Sequence, residues 1–534
     1  MKARCLMVVG TSSHVGKSFL AAGLCRIFAQ DGYRVAPFKA QNMALNSSVT
    51  SQGHEIGRAQ VMQAEAANIE PHVDMNPILL KPADGSGSQV IVHGAPLTNL
   101  TPSQYYLRKA LLWEKVIESF DRLSQQYEIV VIEGAGSPAE VNLKQNDIVN
   151  MRVALMAKAP TLLVGDIDLG GVFASLIGTL DLLEPNEQDL IKGLVINKFR
   201  GDVALFADGV DFLEERTGKP VLGILPYQLD LQLDEEDAVS LTTAPDRPVF
   251  TADEQVEIVV IHLPHISNFT DFAPLQAMPG VRLRYVTAVQ QIGRPDAIII
   301  PGTKNTLGDL KALEERGFVE ALQEFVDKGT HCVGICGGFQ MLGSEIRDPH
   351  HVESLWECVE GLNLLPITTT MHPEKQTSQV IGQLLVPEHF PDTATALQGY
   401  EIHQGQSTFH GAGVMADRLE QGGLHNDAVP FLKITKRSGG SKSQSKTEGD
   451  PTPYFDGAIS YDGRVWGTYL HGIFDNDAFR LAFVNRLRME KGLPKIHQSA
   501  NFTQVYEKQQ RYNQLAALVR NHLDITQIYE MMGI

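Results

Sequence analysis

Short apolar runs alternate along this chain with stretches whose apolar positions recur every three or four residues. In the first half the runs fall at residues 6–10, 34–38, 129–133, 161–166 and 193–198. Runs of that length, each followed by a helical stretch, predict a parallel sheet wrapped by helices. The rhythm breaks at 233–255, where the acids Asp234, Glu235, Glu236 and Asp237 and the turn Pro245-Asp246-Arg247-Pro248 leave little apolar periodicity, as expected of an interdomain linker. It resumes at 256–263, 297–301, 332–336, 457–461 and 465–471, which predicts a second α/β domain over 256–485. Residues 438–452, rich in Ser, Gly and Lys, read as a flexible insertion between strands. From 486 to 534 the chain reads as helical and amphipathic, with Tyr506, Tyr512, Leu515, Leu518 and Val519 as packing positions. The expected fold is thus α/β, with two doubly wound domains at 1–232 and 256–485 and a C-terminal helical segment.

At 534 residues the chain exceeds what one hydrophobic core organises, in keeping with two domains. A formal net charge of −18 argues against a nucleic-acid partner, because phosphate backbones are bound by cationic surface. The cysteines Cys5, Cys25, Cys332, Cys336 and Cys358 form no CxxC pair, which points to a reducing compartment and away from structural zinc. Without a secretory leader or an apolar run of membrane-spanning length, a cytoplasmic protein with no membrane partner is expected.

Two motifs carry chemistry. The first, Gly10-Thr11-Ser12-Ser13-His14-Val15-Gly16-Lys17-Ser18, lies between the first strand and an Ala- and Leu-rich helix, the setting of a phosphate-binding loop. Glycines let backbone N–H groups close around phosphate oxygens, Lys17 neutralises terminal phosphates of ATP, and the Ser18 hydroxyl can ligate Mg²⁺. Five residues separate Gly10 from Gly16, one more than in the common Walker A loop. This longer loop resembles the dethiobiotin synthetase group of ATP-dependent carboxylate-activating enzymes. The resemblance implies a Mg²⁺ role for Glu133 in Glu133-Gly134-Ala135-Gly136, adenine recognition by Asn197, and phosphate contact by Lys39. Glu55 and Asp166, acids near predicted strand or helix ends, are further candidates for the metal shell.

The second motif is Gly334-Ile335-Cys336-Gly337-Gly338-Phe339-Gln340, an apolar strand ending in a cysteine at a sharp turn into a helix. A nucleophile there escapes burial, sits at the positive end of a helix, and has free backbone N–H groups beside it for an oxyanion. His471, in Leu470-His471-Gly472 at the end of another apolar run, is the candidate base. Together these segments resemble class I glutamine amidotransferases. The resemblance implies a flavodoxin-like domain in which a thiolate attacks the glutamine amide, the histidine protonates ammonia, and N–H groups at Gly337 and Gly302 hold the oxyanion. Most such enzymes carry a glutamate two residues after the histidine; here that position is Ile473. The group orienting His471 is therefore open between a backbone carbonyl, a water, and an acid such as Glu401 or Asp475.

The missing glutamate, and the fusion to a dethiobiotin-synthetase-like half, resemble the cobyrinate amidases. Residues 38–43, 55–60, 75–82, 88–90 and 264–272 are similar to the cobyric acid synthase family within that branch. This resemblance implies ATP- and glutamine-dependent amidation of the b, d, e and g carboxylates of adenosylcobyrinic acid a,c-diamide, with no permanently bound cofactor. Arg58 and Lys81 are candidates for holding other carboxylates of the polyanionic corrinoid. Competing readings are a cobyrinic acid a,c-diamide synthase, a muramyl-lipid amidating enzyme, and a ParA-like regulatory ATPase with an inert glutaminase-like domain.

Overall fold

The computed structural model describes residues 2–83, 87–227, 255–391, 393, 396–410, 428–438, 454–497 and 504–534. Apart from Gln255 and Ser438, the linker at 233–255 and the insertion at 438–452 lie outside the described residues, as does the side chain of Tyr506.

Along the strand Arg4–Gly10, Cys5, Met7 and Val9 enter one apolar cluster while Leu6 and Val8 enter another. A strand buried on both faces needs helices on both, which is why the run is apolar throughout. The resulting six-stranded parallel sheet runs in the order Val221–Pro226, Ile191–Phe199, Thr161–Asp166, Arg4–Gly10, Ile129–Glu133, Val35–Phe38. Its loops carry the phosphate motif, Glu133 and Asn197 to one end. The end of the chain completes this domain. Tyr512, Leu515 and Val519 of the helix Gln504–His522 belong to the same cluster as Leu6 and Val8, whereas Leu518 is only half-buried. The close approach needs a glycine: a Cβ at Gly23 would lie 2.7 Å from Val519 Cγ2.

The second domain has five parallel strands in the order Val281–Val286, Val256–Ile261, Ala297–Ile300, His331–Ile335, Val465–Thr468. Beyond them the sheet departs from the doubly wound expectation. Tyr454–Ser460, Ala428–Ser438, Ile367–Leu384 and Ala396–Phe409 continue it in antiparallel pairing. Ile367–Leu384 is rich in Thr and Gln, so it offers no apolar run to mark it as a strand. The helix Asp477–Glu490 also runs across position 485, where the second domain was expected to stop, because Leu487 stays in the core with Phe483.

A small insertion in the first domain joins the two halves. Its hairpin, Ser47–Val49 paired with Glu55–Gly57, lies against the long antiparallel strands. The Ser47 N–H donates to Asn268 Oδ1 at 3.0 Å, Thr377 Oγ1 to the Gly53 carbonyl at 2.9 Å, and the Tyr400 hydroxyl to the Ser47 carbonyl at 3.3 Å. Val49 packs with Tyr400 and Ile402.

Candidate active site

The strand His331–Ile335 is wholly buried and ends at Cys336, whose φ is 52° and ψ −107°. A positive φ on a residue with a Cβ is strained by on the order of 1–3 kcal/mol and persists only where the surroundings impose it. Here the Cys336 N–H donates to the Thr468 carbonyl at 2.8 Å. Gly338 is packed so closely that a Cβ there would lie 1.9 Å from the Ile300 carbonyl oxygen. Gly338→Ala should therefore push the turn off its strand and cost about 2 kcal/mol or more, measured as a lower urea midpoint. The helix that follows, Gly337–Met341, is five residues long. The expectation of a helix dipole at the thiol is corrected accordingly: local N–H groups act there, with little behind them.

His471 reaches the same pocket as Cys336, with Gly337 and Ser267 also in its wall. The imidazole is fully buried and hydrogen-bonded with Cys336. Its Nδ1 lies 2.7 Å from Asp271 Oδ2, and the other Asp271 oxygen accepts the Gly472 N–H at 3.0 Å. Burial opposes charge on the imidazole, but Asp271 and Cys336 outweigh it and hold the His471 pKa up at about 10. Since this lies above the unfolded value, the pair stabilises the fold fully below pH ~6.5 and the contribution is lost as pH rises through about 10. Asp271 is the orienting group that sequence reasoning missed. Glu401 is engaged by Arg437 at 2.7 Å instead. Ile473 fills the apolar core, which explains why no acid stands there. Gly302 lies against the imidazole: a Cβ on it would lie 3.2 Å from His471 Cε1, and one on Gly337 would lie 2.7 Å from Thr303 Cγ2. Burial pushes the thiols of Cys5 and Cys332 up to about 12.

In the first domain, Gly16 takes φ 96°, and Lys17 Nζ donates to the Ser12 carbonyl at 2.8 Å and the Gly136 carbonyl at 3.1 Å. Glu133, buried at its strand end, collects Ser18 Oγ at 2.8 Å, Lys39 Nζ at 3.0 Å and Gln63 Nε2 at 2.5 Å. Sequence reasoning missed Gln63. The Ser18 hydroxyl and the Glu133 carboxylate form an all-oxygen donor pair, which fits Mg²⁺ bound through few protein ligands, phosphates and water. Asn197 Nδ2 donates to the Val15 carbonyl at 2.7 Å and so braces the loop. Thr11 gives its N–H to the Val164 carbonyl at 2.9 Å, and Gly10 packs against Val15 and Lys17. Asp166 is paired with Lys198 at 2.8 Å.

One expectation is corrected. Glu55 does not join the metal shell: its two oxygens are each 2.6 Å from a lysine, Lys81 and Lys375. Lys81, the candidate for a corrinoid carboxylate, pairs with that acid and also lines the Cys336 pocket. Arg58 is buried at the start of the helix Arg58–Ala66.

Comparison with known proteins agrees with this division. Residues 6–240 match the CobQ/CobB/MinD/ParA nucleotide binding domain, and residues 257–479 the CobB/CobQ-like glutamine amidotransferase domain. The chain is 49% identical to the cobyric acid synthase of Moorella thermoacetica, over 100% of this chain and 98% of that protein. It is 48% identical to that of Caldanaerobacter subterraneus subsp. tengcongensis, over 99% and 98%, and 47% identical to one from Dehalococcoides mccartyi, over 99% of both. The chain belongs to the cobyric acid synthase family. The amidotransferase match holds Asp271 as well as Cys336 and His471, and the nucleotide-binding match holds the whole phosphate loop. Among the described residues no helix is long and apolar enough to cross a membrane.

Proposed function

We propose that this chain is a glutamine-hydrolysing amide ligase of cobalamin biosynthesis that amidates the b, d, e and g carboxylates of adenosylcobyrinic acid a,c-diamide. The observation that carries this reading is an intact Cys336, His471 and Asp271 set on the same chain as an intact phosphate loop, in a sequence matched end to end by cobyric acid synthases. The same set speaks against an inert glutaminase-like domain.

In this scheme Cys336 sulfur attacks the side-chain carbonyl carbon of glutamine, and N–H groups of Gly337 and the Gly302 segment face the oxyanion. As the tetrahedral intermediate collapses, His471 gives its proton to the departing nitrogen. Water then cleaves the γ-glutamyl thioester, releasing glutamate and restoring the thiol. A carboxylate is a poor acyl donor, so transfer of the terminal phosphoryl group of ATP makes an acyl phosphate, from which ammonia displaces phosphate. Lys17 and Lys39 offset the phosphoryl charge, and Asn197 both braces the loop and faces adenine. Mg²⁺, held by Ser18 and Glu133, would add Lewis-acid stabilisation of the same charge.

Turnover with adenosylcobyrinic acid a,c-diamide, glutamine and ATP, read by mass, should show four successive amide additions. Activity only on cobyrinic acid, with its a and c carboxylates free, stopping after two amides, would instead identify an a,c-diamide synthase. Asp271→Asn should lower glutaminase kcat about a hundredfold or more by misorienting the imidazole. Without the carboxylate only Cys336 is left to offset burial, so the variant should lose its remaining activity at a lower pH than the wild type, which keeps His471 protonated to about pH 10.

A further inference from the structure

Behind the Cys336 pocket lies a buried charge cluster to which both domains contribute. Glu55 and Lys81 come from the first domain and Lys375 from the second, and their side chains are at most 4% exposed. Glu55 Oε1 meets Lys81 Nζ and Oε2 meets Lys375 Nζ, each at 2.6 Å. The remaining partners are neutral: Lys81 donates to Ser47 Oγ at 2.7 Å and Lys375 to Gln89 Oε1 at 3.1 Å. Two ammonium groups thus share one carboxylate, and each keeps one further N–H that no group among the described residues accepts. A local excess of positive charge out of water is costly unless an anion joins it.

Both lysines also line the pocket of Cys336 and His471, with Lys304 and Glu353 as further charged groups in its wall. Lys304 is already set against Glu353, at 3.8 Å. A second feature of the same wall points to a ligand. His403 Nδ1 is 2.7 Å from the Gly405 carbonyl, which makes it the donor and leaves Nε2 a lone-pair acceptor; Nε2 is buried with no partner among the described residues. Burial holds this imidazole neutral, with its pKa lowered to about 3.

We propose that Lys81 and Lys375 form a carboxylate-binding subsite of the Cys336 pocket, bridging the two oxygens of a substrate carboxylate, while His403 Nε2 accepts an N–H of the same molecule. The pocket is then incomplete without the first domain, since Lys81 enters from it on the strand Ile78–Ala83. Charge on Lys375 gives independent support: burial lowers its pKa, Glu55 raises it, and Lys81 and Lys304 lower it further, to about 7. An arriving carboxylate would relieve that repulsion. Two molecules in the proposed reaction carry the right group, glutamine through its α-carboxylate and the corrinoid through its side-chain carboxylates. The inference rests on the glutaminase reading of this pocket.

The test uses full-length wild type, Lys81→Met and Lys375→Met, assayed with L-glutamine and with 4-aminobutanamide, which is glutamine lacking the α-carboxylate. If the subsite takes glutamine, the wild-type preference in kcat/KM for L-glutamine over the analogue should shrink about a hundredfold in each variant, mostly through KM. If it takes the corrinoid, that preference should hold while KM for adenosylcobyrinic acid a,c-diamide rises by a similar factor in ammonium-supported synthesis. Equal losses for glutamine and its analogue, or no change in either comparison, would overturn the subsite. Those results differ from failure of the glutaminase reading itself, in which the wild type would release no glutamate from glutamine. Because selectivity is a ratio within one preparation, partial misfolding of a variant does not imitate the expected result.

Discussion

Cys336→Ser should reduce glutamine-supported amidation by a factor on the order of 10⁵, while synthesis supplied with high ammonium continues. Serine fits the elbow, so the loss would be chemical. Asp271 and Cys336 hold the His471 pKa near 10, which means the imidazole already carries its proton at neutral pH. A thiol can serve under those conditions because its proton leaves readily. A serine hydroxyl needs a neutral base beside it, and Asp271, which the substitution leaves in place, still favours the imidazolium. External ammonium bypasses the elbow, since the phosphate loop and Glu133 stand on a different sheet. Glutamate release and amide count, measured together with each nitrogen source, check both halves of the statement. If ammonium-supported synthesis disappeared as well, the two-site scheme would be wrong.

The parallel strands and the groups at their ends were legible because a strand buried on both faces has to be an apolar run, and the reactive loop follows it directly. Gly10 to Ser18, Glu133, Cys336 and His471 all sit in that relation. What the sequence hides is pairing at a distance. Asp271 lies 200 positions from His471, in a short helical turn, inside a segment that marked the family without disclosing its chemistry. Glu55 reads as a metal ligand when only its own neighbourhood is visible, because one of the lysines that neutralise it lies 320 positions away. The antiparallel half of the second sheet escaped for a different reason. The long strand Ile367–Leu384 is held by pairing on both sides and has exposed polar positions such as Glu374, so alternation replaces the continuous run.

Lys17→Ala should remove amide synthesis by about 10³-fold or more with either nitrogen source, and this is the counterpart of the Cys336 result. The ammonium group does two jobs that the substitution deletes together. It supplies positive charge where the terminal phosphates of ATP would lie, and it ties the loop to the Ser12 and Gly136 carbonyls, so the loop loses its shape as well as its charge. Lys39 does not replace it, because its Nζ is held at 3.0 Å by Glu133 Oε1, the same oxygen that Ser18 reaches, and does not tie the loop to the Ser12 and Gly136 carbonyls. Glutamate release should persist in this variant, since Cys336, His471 and Asp271 are untouched. Assaying glutamate and amide side by side therefore separates the two centres: glutamate without amide is the expected outcome. A parallel fall in both would instead mean that the state of the phosphate loop reaches the elbow, and the hairpin carrying Ser47 and Glu55, bonded to Asn268 three residues before Asp271, is the connection through which it would pass.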